Sequence, residues 1–277
     1  MMRGQRVWAI AVRAPDQSII IKTNKLNKLY QSKLASIPFL RGLLILWDAL
    51  VLGVEALTFS VNIQAGDDEK IEGAPMIFTL LLSLGMGIGL FFLLPAGVAY
   101  LTEIGFGFSG LSLNMIEGAV RLGILIGYIW AIGHIPDIRR VYGYHGAEHK
   151  TINAFEAGAE LEVETVGTFS RQHPRCGTAF MLTVVILSIA LFALIGPLPI
   201  FLRLLSRVLL VPFLAMLAYE YIRFTARHMR SPWIRPLVSA NLALQRLTTR
   251  EPDESMLEIA IAALNQVLLE ERQTAVN

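Results

Sequence analysis

Two stretches of this chain, Pro75–Leu101 and Gly177–Leu202, contain no aspartate, glutamate, lysine or arginine. Each is longer than the roughly 20 apolar residues that a helix needs to cross the hydrocarbon core of a bilayer. A helix that is apolar all round has no face to give to water and must be covered by lipid or protein. Composition agrees with this. Hydrophobic residues make up 54% of the 277 and charged residues 17%, with a mean hydropathy of +0.55. Soluble domains carry about 25% charged residues. A disordered chain, a coiled coil and an ordinary soluble enzyme are thereby excluded. The formal charge of +2 is too small to argue for nucleic acid, and the single cysteine, Cys176, excludes an internal disulfide.

Two further runs are spanning candidates. Leu111–Gly133 holds Glu117 and Arg121, four residues apart and so able to pair on one helical face. Leu204–Ile222 holds Arg207 near one end and Glu220 near the other. Polar groups inside such spans must face protein or water. Pro38–Asn62 differs, because Arg41, Asp48 and Glu55 recur every seven residues and form one polar stripe. Asp48 at the bilayer centre would cost about 2.5–3.5 kcal/mol, so this helix is expected to lie in the interface or to pack without crossing.

With four spans, residues 1–37, 134–176 and 223–277 share one side, and they carry 7, 5 and 7 lysines and arginines. The positive-inside rule places that side, with both termini, in the cytoplasm. The expected fold is an all-α polytopic membrane protein. Spans within 75–133 and 177–222 join an amphipathic interfacial helix over 38–62, a small N-terminal β-hairpin and a cytoplasmic helical region over 134–176.

The first 33 residues lack the apolar core of a secretory signal and include the basic residues Lys28 and Lys33. Val7–Arg13 and Ser18–Lys22 flank Ala14-Pro15-Asp16-Gln17 and predict a hairpin. An isolated hairpin is marginal, so it is expected to rest on another element. Near the other end, Leu257, Ile261, Leu264 and Leu268 recur at helical spacing within Ser255–Glu271, after a helix entry at Pro252-Asp253.

The chemistry concentrates in His145-Gly146-Ala147-Glu148-His149-Lys150. At about 100° per residue, His149 falls about 40° from His145 one turn on, and Glu148 about 60° to the other side. Two imidazoles at i, i+4 can grip one metal, and a neighbouring carboxylate can deprotonate a water. The order His-x-x-Glu-His is that of the inverted zincins. Interfacial packing of exposed histidines is the plain alternative. A catalytic zinc needs about three protein ligands. Glu156, seven residues past His149, lies about 10.5 Å further along the axis and is expected to support the site from outside or to lie on a solvated surface rather than to bind. His173, in His173-Pro174-Arg175-Cys176-Gly177, is the preferred third ligand; Pro174 in a first helical turn would place it at a cap. Cys176 is the alternative ligand, or else a small buried apolar residue. Lys150 and Arg175 are expected to stabilise a developing oxyanion or to contact lipid headgroups. Glu220 is expected to be ion-paired, His134 and His228 to mark membrane boundaries, and Glu160, Glu162 and Glu164 to lie on a solvated strand or loop.

Met1-Met2-Arg3-Gly4, Pro38-Phe39-Leu40-Arg41-Gly42, His145–Thr151, His173–Gly177 and Leu247–Asp253 together resemble the YqhQ-like family of bacterial membrane proteins, a family of unknown function often labelled a metal-dependent enzyme. The resemblance covers nearly the whole chain and implies a bacterial inner-membrane location and a metal site. One departure is that the family pattern carries a Gly-Gly-Gln-Ala-Val-x-Glu-Gly-Val segment just before Met-Met-Arg-Gly.

Three functions are expected to compete. The first is a zinc-dependent hydrolase acting on a peptide bond or a lipid ester at the cytoplasmic boundary. Its metal ligands are His145, His149 and His173 or Cys176, and Glu148 is its general base. The second is an ion transporter or channel using the same motif with Glu117, Arg121 and Glu220. The third is a scaffold with a structural metal, whose basic face and C-terminal helix bind anionic lipid or a soluble protein partner. Homo-oligomerisation is compatible with all three.

Overall fold

The computed structural model describes residues 1–27, 36–65, 73–196, 198–229 and 231–276, so Lys28 and Lys33 lie outside the described residues. The chain divides into two compact units. The first comprises Met1–Ile71, Gly133–His173 and Gln245–Asn277, and the second Glu72–Ile132 and Pro174–Leu244.

The first unit is built around a three-stranded antiparallel sheet in the order β1 (Met2–Arg3), β2 (Val7–Arg13), β3 (Ile19–Lys25). The hairpin is present, but its second strand runs further than expected and a third strand joins. The turn holds because Asp16 Oδ1 accepts from Ser18 N at 3.0 Å and Ser18 Oγ at 2.6 Å, while Gln17 takes a φ of 70°. That pair of hydrogen bonds, Oγ foremost, holds the Asp16 carboxyl below its ordinary pKa.

Strand β2 is apolar on both faces because both are covered. Val7, Ala9 and Ala11 pack with Leu257, Ile261, Leu264 and Val267 of α11 (Glu254–Val276) and with Ala147 and Ala154 of α5 (Pro136–Glu156). Trp8, Ile10 and Val12 pack with Leu52, Ala56, Phe59 and Ile63 of α1 (Leu40–Ala65). The apolar stripe of the C-terminal helix is therefore spent inside this unit.

Helix α1 is long and apolar enough to cross a membrane, and one of its faces packs against β2. Two charges of that stripe meet the sheet. Asp48, 2% exposed, accepts from Arg3 Nε at 2.8 Å and Nη2 at 2.7 Å; Glu55 accepts from Lys22 Nζ at 2.9 Å and Asn24 Nδ2 at 3.0 Å. Pairing removes most of the desolvation cost that argued against a bilayer for this helix. Trp47, Leu50 and Leu57 stay exposed.

The second unit is helical: α2 (Ala74–Ile88), a π-helical turn over Gly89–Leu93, α3 (Leu94–Phe106), α4 (Gly110–Ile132), α7 (Gly177–Ile195), α8 (Ile200–Leu209), α9 (Val211–Arg227) and α10 (Arg235–Thr248), whose last turn belongs to the first unit. Pro75–Phe106, Gly110–Ile132 and Gly177–Ile195 are each long and apolar enough to span. The expected single span over 204–222 is instead the pair α8 and α9, bent by 47° at Leu210. Pro212 explains the break: it has no N–H to donate, and its ring favours the first turn of a new helix.

Glu117 and Arg121 do pair, at 2.6 Å, but Arg207 joins them through Nε at 2.8 Å and Nη2 at 2.7 Å. Arg121 also donates to Ser188 Oγ and to Phe91 O in the π-helical turn, and the Phe192 ring lies 3.9 Å from the Arg207 guanidinium. All three charged side chains are about 1–2% exposed.

Candidate metal centre

Helix α5 carries the histidine motif. It opens with Pro136 in its first turn and Asp137 near its positive end, both suited to a helix start. Gly146 lies inside the helix, where glycine costs about 1 kcal/mol against alanine. Its purpose is close approach: a Cβ there would stand 2.2 Å from Arg250 O. Arg250 N in turn donates to Tyr142 O at 2.9 Å. This contact lays the segment that leaves α10 directly along α5.

Thr248 O, one of the carbonyls that a helix end leaves without an intrahelical donor, accepts from His145 Nδ1 at 2.9 Å. His149 Nδ1 donates to Arg171 O at 2.7 Å. A carbonyl only accepts, so both bonds place the proton on Nδ1 and, in the neutral ring, the lone pair on Nε2. An N–H to carbonyl bond of this kind orients metal-binding histidines. The two rings sit 4.4 Å apart at 65°, with a ring nitrogen of each within 4.8 Å of one in the other.

The His173 ring lies 5.9 Å from that of His149, in the same unit. Its backbone is clamped by the fully buried Gln245, which accepts from His173 N at 2.9 Å and donates to His173 O at 2.8 Å. Glu156 Oε2 stands 3.5 Å from His173 Nε2. His173 is not the helix cap that Pro174 suggested. Pro174 and Arg175 form a turn, and Cys176 caps α7, its Sγ accepting from Thr178 N at 3.4 Å. Cys176 is buried and Arg175 exposed, both within the second unit.

Lys150 is buried, and its Nζ donates to Gly167 O at 2.6 Å and pairs with Glu251 at 2.5 Å. It fastens the end of the short helix over Val163–Gly167 and the segment around Glu251 to α5. Glu148 is half-buried and lines a cavity of about 530 Å3 together with His145, Tyr144, Asp137 and Arg140. Its carboxylate has no hydrogen bond or ion pair among the described residues.

His228 donates to its own helix at Phe224 O, His134 is exposed, and Glu220 lies half-buried in α9. Glu162 caps the short helix α6 (Val163–Gly167) and Glu164 lies in its first turn, so the solvated strand or loop is part helix. Sequence reasoning missed Thr248, Arg171 and Gln245. Gly146 was the available cue, since a glycine inside a helical pattern often marks a close backbone approach.

The profile of DUF1385, described as "Protein of unknown function", matches residues 37–270. The chain is similar to "Uncharacterized protein YqhQ" of Bacillus subtilis (strain 168), at 33% identity over 285 residues, covering 97% of this chain and 89% of that protein. No solved structure matches. With most of its length matched in both comparisons, the chain belongs to the DUF1385 family of proteins of unknown function.

Proposed function

We propose that the chain is a metal-dependent hydrolase of the bacterial inner membrane, with its centre on the first unit at the cytoplasmic boundary and zinc as the metal. The observation that carries this reading is the pair of Nδ1–H bonds from His145 to Thr248 O and from His149 to Arg171 O, which turn two neighbouring rings into Nε2 donors. The donor set suits zinc, which takes imidazole and thiolate readily.

His145 and His149 would hold the metal. His173 is the third ligand, positioned by Gln245 and supported by Glu156. Cys176 is the alternative. It follows His173 by three residues, so chain connectivity keeps the two Cα atoms within about 11 Å. A zinc held there would supply a Lewis acid. Glu148 accepts the proton of the attacking water and faces the cavity in which a substrate would lie. Lys150 fastens neighbouring segments rather than an oxyanion, because its ammonium is already engaged with Gly167 O and Glu251. Arg175 retains the role of meeting negative charge on substrate or lipid. Arg121 and Arg207 hold the Glu117 carboxylate, so one of the groups that favoured the transport reading is engaged in an ion pair.

Cobalt substitution tests the centre. The loaded protein should show the intense visible absorption of a four-coordinate site, unchanged by Cys176→Ser and weakened by His173→Ala. A thiolate charge-transfer band lost in Cys176→Ser would transfer the third position to the cysteine. A weak octahedral spectrum in the wild type would contradict the centre.

A further inference from the structure

Two layers of charge lie one helical turn apart in the second unit. Helices α3 and α4 form an antiparallel hairpin joined over 107–109. Glu103 lies three residues before the end of α3 and Asn114 four after the start of α4, so the two stand level, about one turn from the joint. Arg203 of α8 reaches this layer, where its Nη2 donates to Glu103 Oε2 at 2.8 Å. One turn further on, Arg207 of α8 meets Glu117 of α4 in the layer that also holds Arg121. The inner layer is paired, with both Glu117 oxygens held by guanidiniums. The outer layer is not. Arg203 Nη2 is shared between Glu103 and Leu198 O, while the buried Nη1 has no partner among the described residues. Asn114 is 8% exposed, and its side-chain amide has no hydrogen bond among the described residues either. Buried polar groups of this kind are rarely left unpaired. Three guanidiniums against two carboxylates also leave the layers with one surplus positive charge, which is costly in apolar surroundings.

We infer that the outer layer binds a singly charged phosphate group, which accepts from Arg203 Nη1 and Asn114 Nδ2, and that its source is the headgroup of a phospholipid. A phosphodiester carries one negative charge, which cancels the surplus, and two free oxygens, one for each idle donor. Arginine suits it, since a guanidinium is weakly hydrated and matches phosphate oxygens. The depth agrees. The layer lies about one turn from the ends of Pro75–Phe106 and Gly110–Ile132, both long and apolar enough to span, and headgroups flank the hydrocarbon at that level. Ile104, Phe106, Phe201 and Leu205 are exposed on the same turns of α3 and α8 and offer acyl chains an apolar surface. Glu103, whose side chain is 38% exposed, is the member of the layer that reaches the outside, so the group enters beside it. Free phosphate has the same oxygens but no chains, and the chains tell the two sources apart. Neither layer shares a residue with the metal centre, and the inference stands without it.

The test follows thermal unfolding of the delipidated full chain in a maltoside detergent while dioleoyl phosphatidylglycerol, dioleoylglycerol, oleate or inorganic phosphate is added. A ligand that binds the folded state raises the midpoint. Phosphatidylglycerol should raise it at concentrations about tenfold below those of dioleoylglycerol and oleate, which lack the phosphate. Asn114→Leu keeps the volume, breaks no hydrogen bond of the fold and should weaken the lipid about tenfold, the scale of one hydrogen bond to a charged group. Arg203→Lys keeps the charge and a donor for Glu103 but has no second nitrogen for the phosphate. It should weaken the lipid similarly, and it serves if Asn114→Leu does not fold. Inorganic phosphate that acts as strongly as the lipid, and loses its effect in the same variants, would keep the site and make free phosphate its ligand. Equal effects of phosphatidylglycerol and dioleoylglycerol or oleate, no effect of either phosphate ligand, or unchanged affinity in the folded variants would overturn the inference.

Discussion

Gly146 and Arg250 touch backbone to backbone, so closely that a Cβ on Gly146 would stand 2.2 Å from the Arg250 carbonyl oxygen. The partner is backbone, so it cannot swing aside as a flexible side chain would. Two residues before Arg250 lies Thr248, whose carbonyl orients His145. Gly146→Ala must push this segment away from α5. It should destabilise the first unit by about 1–3 kcal/mol, the usual cost of overpacking, and lower metal affinity together with stability. Urea denaturation and metal titration on the same preparation check both.

Glu148→Gln keeps shape and removes the proton acceptor. Metal content should stay at the wild-type level while turnover of a bound substrate falls about 100- to 10,000-fold, the range that general base catalysis supplies. Intact turnover in a metal-loaded Glu148→Gln protein would remove Glu148 as the base.

Asp253 caps α11: its Oδ1 accepts from Met256 N at 2.9 Å and from Ser255 Oγ at 2.7 Å. The Ser255 hydroxyl, then backbone bonds and the charge of Arg140, hold its carboxyl below the ordinary value of 3.8 against a modest opposing effect of burial. A lowered folded pKa means stability that is present above the unfolded value and lost as pH falls through the folded one. Asp253→Ala should cost about 1 kcal/mol at neutral pH. The difference from wild type should shrink below about pH 4, as thermal melts across the range would show.

In the second unit, Glu117 neutralises one of two buried guanidiniums and holds both in place. Glu117→Gln leaves two like charges facing each other without a counter-ion and should cost about 3–5 kcal/mol. The triple change Glu117→Leu, Arg121→Met, Arg207→Met should be milder than the single one. Melting temperatures in lipid nanodiscs would rank the two.

The features legible in the sequence were those written in local periodicity. The uncharged runs, the i, i+4 histidines and the Leu257–Leu268 stripe each need only a helix to become visible. What escaped was carried by backbone groups from distant parts of the chain. Thr248 O and Arg171 O are ordinary carbonyls, and nothing about a threonine or an arginine in sequence says that its main chain will orient a histidine. The stripe of Asp48 and Glu55 was visible but its partners were not, because Arg3 and Lys22 sit on strands whose register only the fold defines. The break at Leu210 was marked by Pro212, which the apolar run around it outweighed.

The account stands or falls on whether the two oriented imidazoles bind an ion. Elemental analysis of purified wild type, set against the His145→Ala, His149→Ala variant in the same detergent and with matched folding by circular dichroism, measures this directly. The account predicts about one zinc per wild-type chain and none above background in the variant. An equal metal content in the two, or a wild-type chain that stays metal-free when supplied with zinc, would contradict it.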